Sequence, residues 1–232
     1  MQNNTDNQVQ LAYARVAGFV YLLLIVMFMG GEFLISGILG TGELAGMMER
    51  VHASQHAYRG ALAIELLSSI FTVVLAYALY VVVRPIGERL AQLALYFRLG
   101  EAFVGAAAML INYAQFAIYT SDLDATQAKT VLAMVHIVDR ASFNIGTLIF
   151  SFGSTIFFYL FVKSSYIPKP LAAFGVFASV VLTASSLANL VLPEHASTMQ
   201  IAFVPIFAAE IATGFWLLFR GVRVSVSNGN SS

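Results

Sequence analysis

Residues 93–116 read LALYFRLGEAFVGAAAMLINYAQF. The stretch is apolar or small over more than the roughly 20 residues that a helix needs to cross a bilayer, yet it carries Arg98, Glu101, Asn112 and Gln115. At about 100° per residue these four fall, with Gly105, Ala108 and Tyr119, within one arc of a helix about 100° wide. A charged or amide side chain facing hydrocarbon is costly. This arc therefore faces other helices, and the rest of the surface faces lipid: the segment reads as one span of a bundle with a polar interior.

The whole chain repeats that signature. Of its 232 residues 59% are hydrophobic and only 10% charged, with a mean hydropathy of +0.81, far from the quarter or so of charged residues usual in soluble domains. Lys and Arg number 12 against 12 Asp and Glu, and no segment is dense in base, which leaves no footprint for nucleic acid. The absence of cysteine excludes disulfides and thiolate sites.

Six segments are long and apolar enough to span: about 16–38, 60–83, 92–119, 141–162, 170–192 and 200–219. The first, from Val16, is too long for the core of a cleavable signal and reads as an uncleaved span. Glycines near Gly40, the Arg84-Pro85 step, TSDLDAT, KSSYIPKP and Pro193 punctuate them. With the N-terminus inside, eight of the basic residues lie on the cytoplasmic side, leaving Arg50, Arg59, Lys129 and Arg140 outside. The expectation is an all-α polytopic integral membrane protein, a six-helix transmembrane bundle over 15–223 with both termini cytoplasmic. Residues 1–14 form a loosely ordered polar tail and 224–232 a disordered one. Its immediate partner is the lipid bilayer, and a homo-oligomer is compatible with the pattern.

Each span owns one polar stripe. Gly18, Tyr21, Glu32 and Ser36 lie together on the first; Glu65, Ser68, Ser69 and Thr72 on the second; His136, Arg140 and Asn144 recur every four residues through the fourth; Ser185 and Ser186 lead to Asn189 on the fifth; Glu210 precedes Thr213 on the sixth, beyond a kink at Pro205. By depth, Glu32, Glu65, Asn112, Gln115, His136, Asp139, Arg140, Asn144 and Asn189 belong to the outer half and Glu210 to the middle. Arg98 and Glu101 belong to the inner side, where an ion pair one turn apart would anchor the helix. The predicted interior is a pocket or vestibule open to the outside, lined by Glu32, Glu65, Arg98, Glu101, Asn112, Gln115, His136, Arg140, Asn144, Asn189 and Glu210. The Ser and Thr residues serve mainly as packing and backbone-bonding groups.

Two loops on the outer side have helical character: 43–58, and the stretch after Asp124, which with Gln127 resembles a capping box opening a helix continuous with the fourth span. In the first, Glu49, His52 and His56 are spaced by three and four, placing a carboxylate and two imidazoles on one helical face; His195 lies in another loop on the same side. These are donor types for zinc, with Glu43 or Glu194 available as a base, although the segment is not an HExxH motif. Zinc is the one cofactor the residues suggest. No GxSxG elbow, phosphate loop or nucleotide fingerprint occurs, and no lysine lies within a span to carry a retinal Schiff base.

The blocks ARVAGFVYLLLIV (14–26), GEF (31–33), ALYVVVRP (78–85), FRLGEA (97–102), HIVDRASFNIGTLIFSFGSTIFFYLFVKSSYIPKPLAAFGV (136–176) and AEIATGFWLLFRGV (209–222), in that order and spacing, resemble a bacterial membrane family catalogued as domain of unknown function 4386. The resemblance implies a multi-span inner-membrane protein and supplies no catalytic residues. It matches Glu32, Arg98, Glu101, His136 and Glu210 to recurring blocks, whereas Glu49, His52 and His56 fall outside them. The functional expectation is an interior that binds or translocates a small polar or amphiphilic ligand or an ion. The alternatives are a metal-dependent membrane enzyme built on Glu49, His52, His56 and His195, and a structural subunit whose stripes only pack helices.

Overall fold

Long apolar runs between turn residues give seven α-helices in the computed structural model, which describes residues 2–192 and 196–223. They are α1 (Gln2–Leu39), α2 (Leu44–Ala53), α3 (Gln55–Val83), α4 (Glu88–Tyr119), α5 (Ala125–Ser164), α6 (Lys169–Val191) and α7 (Ala196–Phe219). All but α2 are long and apolar enough to cross a membrane, six in number, the hallmark of a multi-pass membrane protein.

The ends are set locally. Asp124 Oδ1 accepts from the backbone N–H groups of Thr126 and Gln127 at 2.8 and 2.9 Å and opens a single helix through the fourth span, as the capping residue predicts. Pro85 turns the chain in a 3-10 step, Arg84–Ile86, between α3 and α4. Gly40, with φ of +59°, ends α1; the Arg50 guanidinium then caps that end, Nε donating to the Leu39 carbonyl at 3.0 Å and Nη2 to Leu39 and Thr41.

Consecutive spanning helices pack side by side: α1 on α3, α3 on α4, α4 on α5, α5 on α6 and α6 on α7. Because α7 also packs on α1, the six close into a ring in chain order. Large apolar side chains point outward, Phe33 at 81% exposure and Leu110 at 77%, while the inward side is rich in small and hydroxylated residues: Ala17, Thr147, Ser151, Ser154, Ser179, Ser186 and Thr213 are all buried. That inversion of the soluble pattern suits helices whose outer solvent is hydrocarbon. One end of the ring is filled by Leu79, Val82, Phe157, Phe158, Phe161 and Ile167. Across the other lies α2, packed on α1, α3, α4 and α5, with Val51 buried among Tyr58, Leu62, Phe116, Tyr119 and Leu132.

Two expectations are corrected. Residues 2–14 are helical and continue α1; Gln10 Nε2 donates to the Val82 carbonyl at 2.6 Å in a buried contact, and Ala14 is fully buried. A polar N-terminal segment that finds an uncapped carbonyl at the end of α3 extends the helix instead of fraying. The stretch 43–58 is not one helix either, since the chain breaks at Ser54 between α2 and α3. The expected C-terminal tail, 224–232, lies outside the described residues.

Ring closure depends on Gly18. A Cβ there would stand 2.3 Å from the Leu218 nitrogen and 2.7 Å from the Gly214 oxygen, and backbone atoms cannot swing away. Gly18→Ala should therefore cost about 1–3 kcal/mol or more, read as a lower melting temperature in detergent micelles. Gly30→Ala, where a Cβ meets nothing within 4 Å, should leave it unchanged or slightly raised.

Candidate functional site

The centre of the ring holds a charged cluster contributed by opposite helices. Arg98, on α4, is 3% exposed. It sits ten residues into its helix, about 15 Å from that end. Its Nη1 lies 3.0 Å from Glu101 Oε2, one turn along the same helix, but off the hydrogen-bonding axis, so that both atoms lack an aligned partner. The contact is coulombic in character.

Neighbouring helices fix the guanidinium. Its carbon lies 4.8 Å from the centre of the Phe150 ring of α5, a cation–π contact. Its aliphatic stem fills the space left by Gly153 on the same helix, where a Cβ would come within 3.1 Å of Arg98 Cγ and Cδ. Across the ring, α7 brings Glu210 into the electrostatic field of Arg98 and Glu101, and α1 turns the buried Tyr21 toward the Glu210 carboxylate. Among the described residues Arg98 Nε, Glu210 Oε1, Thr213 Oγ1 and Ser154 Oγ are buried polar atoms without a hydrogen-bond partner, and such atoms are costly to leave so.

A second polar group lies nearer the α2 end. Asn112 Nδ2, on α4, donates to Glu65 Oε2 on α3 at 2.9 Å. Glu32 of α1 and Asp139 of α5 are the carboxylates in the field of Glu65, and Gly31 lets α1 approach that side chain, a Cβ there meeting Glu65 Cγ at 3.2 Å. Asn112 and Glu101 are eleven residues apart on α4, so the two polar levels are about 16 Å apart along the ring. Beside them, Asn144 Nδ2 of α5 donates to the Ser186 carbonyl of α6 at 3.2 Å, and Thr183 Oγ1 donates to Ser151 Oγ at 2.8 Å.

The predicted lining is thus divided. Arg98, Glu101 and Glu210 meet at the centre, and Glu65 and Asn112 meet nearer α2. Asn144 joins α5 to α6. Gln115, His136 and Asn189 are half-buried. Glu32 and Arg140 are exposed on the outside of their helices, Glu32 among Phe28, Met29, Phe33 and Ser36. The expected Arg98–Glu101 pair forms, but as part of the buried cluster and not as an anchor at the end of the helix. Its depth follows from where α4 begins: Glu88 adds a full turn before the apolar run.

Phe150, Gly153 and Ser154 were not singled out as site residues by sequence. The signal was there: Asn144, Thr147, Ser151 and Ser154 are spaced three, four and three, continuing the α5 stripe one side chain at a time toward Arg98.

The predicted metal face is not assembled. Among the described residues no three His, Asp or Glu side chains converge as metal ligands. The break at Ser54 puts Glu49 and His52 on α2 and His56 on α3, all three exposed, and His52 Nδ1 instead faces Gln55 Nε2 at 3.4 Å. His195 lies outside the described residues.

No curated protein and no solved structure matches the chain. The sequence model of a family described as "Domain of unknown function (DUF4386)" matches residues 16–221, which includes every element of the central cluster. The chain belongs to the DUF4386 family.

Proposed function

We propose that this is a multi-pass protein of the cytoplasmic membrane, with both termini on the cytoplasmic side, whose ring interior binds or passes a small polar solute or ion. The observation that carries this reading is the set of buried polar atoms without partners that α4, α5 and α7 contribute to the bundle: Arg98 Nε, Ser154 Oγ, Glu210 Oε1 and Thr213 Oγ1. A bundle whose stripes served only to pack helices would pair such groups with one another, because each unpaired one destabilises it. The level of Glu65 and Asn112 forms the approach from the α2 end. With Arg98 inside the ring, the orientation rests on the seven-to-four excess of the remaining basic residues toward the termini side.

The chain contains no cysteine, so single reporters can be placed on the native background. Ala108, half-buried on the polar arc of α4 between the two polar levels, and Leu110, facing outward on the same helix, form a matched pair. In intact cells a membrane-impermeant thiol reagent should label Ala108→Cys several times faster than Leu110→Cys. Equal and negligible labelling would indicate a dry, sealed interior and contradict the proposal.

The cluster also predicts a pattern of stability. Arg98→Met removes the cation from a site holding two carboxylates and should cost about 3–5 kcal/mol, as breaking one side of a buried ion pair does. Arg98→Met combined with Glu101→Leu should recover much of that loss in unfolding measurements in micelles, despite being the larger change.

A further inference from the structure

The charges at the ring centre do not balance. Among the described residues, Arg98, Glu101 and Glu210 are the charged groups there, one cation against two carboxylates. Arg98 is committed to Glu101, one turn away at 3.0 Å, and it cannot readily turn, since its stem is wedged at Gly153 and its head lies on the Phe150 ring. Glu210 is left as the excess acid, with Oε1 buried and unpartnered.

The groups around Glu210 have the same character. Thr213, one turn along α7, is fully buried with its hydroxyl unpartnered, and Tyr21 presents its phenol from α1. A carboxylate that takes a hydrogen bond from the Tyr21 phenol but keeps Oε1 without a partner, in surroundings that strengthen every coulombic interaction, joins the neighbouring hydroxyls as a set of hard oxygen donors that one positive charge would complete. A divalent ion calls for more carboxylates than the single excess one, and an anion would be repelled by both acids. The approach has the same sign: Glu65 and Asp139 share one field near the α2 end, while the nearby bases are drawn elsewhere, Arg59 lying over the Phe116 ring and Arg140 exposed on α5. Acidic groups along an entry raise the local concentration of cations.

We infer that the ring centre is a binding site for a small monovalent cation, an alkali ion or a protonated primary amine, with Glu210 as its anionic ligand and the Tyr21 and Thr213 hydroxyls beside it. The inference rests on the proposed wet interior and specifies what enters it.

The test uses the full-length protein purified in a neutral maltoside, at fixed ionic strength maintained with N-methylglucamine chloride. Sodium, potassium and methylammonium are each titrated while the melting temperature is recorded. At least one should raise it saturably, and which one does so separates the alkali ion from the amine. Glu210→Gln should abolish the shift, while Glu32→Gln, on the outer face of α1, should leave it intact. If Glu210→Gln fails to fold, Thr213→Val is the second variant, and it should raise the half-saturating concentration several-fold. A saturable shift that survives Glu210→Gln overturns the inference, as does a flat response to all three cations. Acetate and phosphate, as N-methylglucamine salts, form the opposing arm. A shift with these that requires Arg98 would replace the cation by an anion while leaving the solute-binding interior standing. A flat response to every ion, together with unlabelled Ala108→Cys, would end both readings.

Discussion

A guanidinium held inside an apolar bundle must be compensated where it stands, and the six helices are arranged around the one at Arg98. Its own helix supplies Glu101 within a single turn; α5 supplies an aromatic face at Phe150 and, by omitting a side chain at Gly153, room for the stem; α7 supplies a second carboxylate from across the ring. Burying a charge this completely is tolerable only when partners are held in place by surrounding structure. That requirement connects α4, α5 and α7, three helices that ring closure must bring into register.

Closure itself is a matter of small residues. Helices surrounded by lipid gain little from burying apolar side chains against one another, and close backbone approach replaces that driving force. Gly18 and Gly214 let α1 and α7 touch nearly backbone to backbone, and Gly175 accepts the Phe158 ring, where a Cβ would stand only 2.2 Å away. These contacts hold the helices together while the polar stripes face one another. The same residues thus serve both architecture and site: Gly153 is a packing glycine that determines where a charge can sit.

The number of long apolar helices was legible in the sequence because hydropathy and turn residues report directly on what a bilayer admits, and Asp124 announced its helix by side-chain chemistry alone. The polar stripes were legible too, since angular position on a helix is fixed by residue spacing. What spacing cannot give is which stripe meets which. Glu65 with Asn112 and Glu210 with Arg98 are tertiary facts, set by the order of helices around the ring. The inner placement expected for Arg98 followed from treating base as a topological signal, when its neighbours Glu101 and Gly105 on the same arc marked it as interior. The helical start of α1 was hidden because polar composition suggested disorder, whereas the Gln10 amide is bound to the Val82 carbonyl. The metal face failed for a local reason: a three–four spacing implies one face only while the helix continues, and it stops at Ser54.

The central claim is that the ring centre holds one positive charge beyond Arg98, and anomalous scattering tests it most directly. Crystals of the protein grown in the membrane-mimetic cubic phase and soaked with rubidium ion, or with bromoethylammonium as the amine, should with one of the two give an anomalous peak beside the Glu210 carboxylate, close to the Tyr21 and Thr213 oxygens. A map in which Glu210 is hydrogen-bonded to protein groups alone, with no peak inside the ring, would contradict the account.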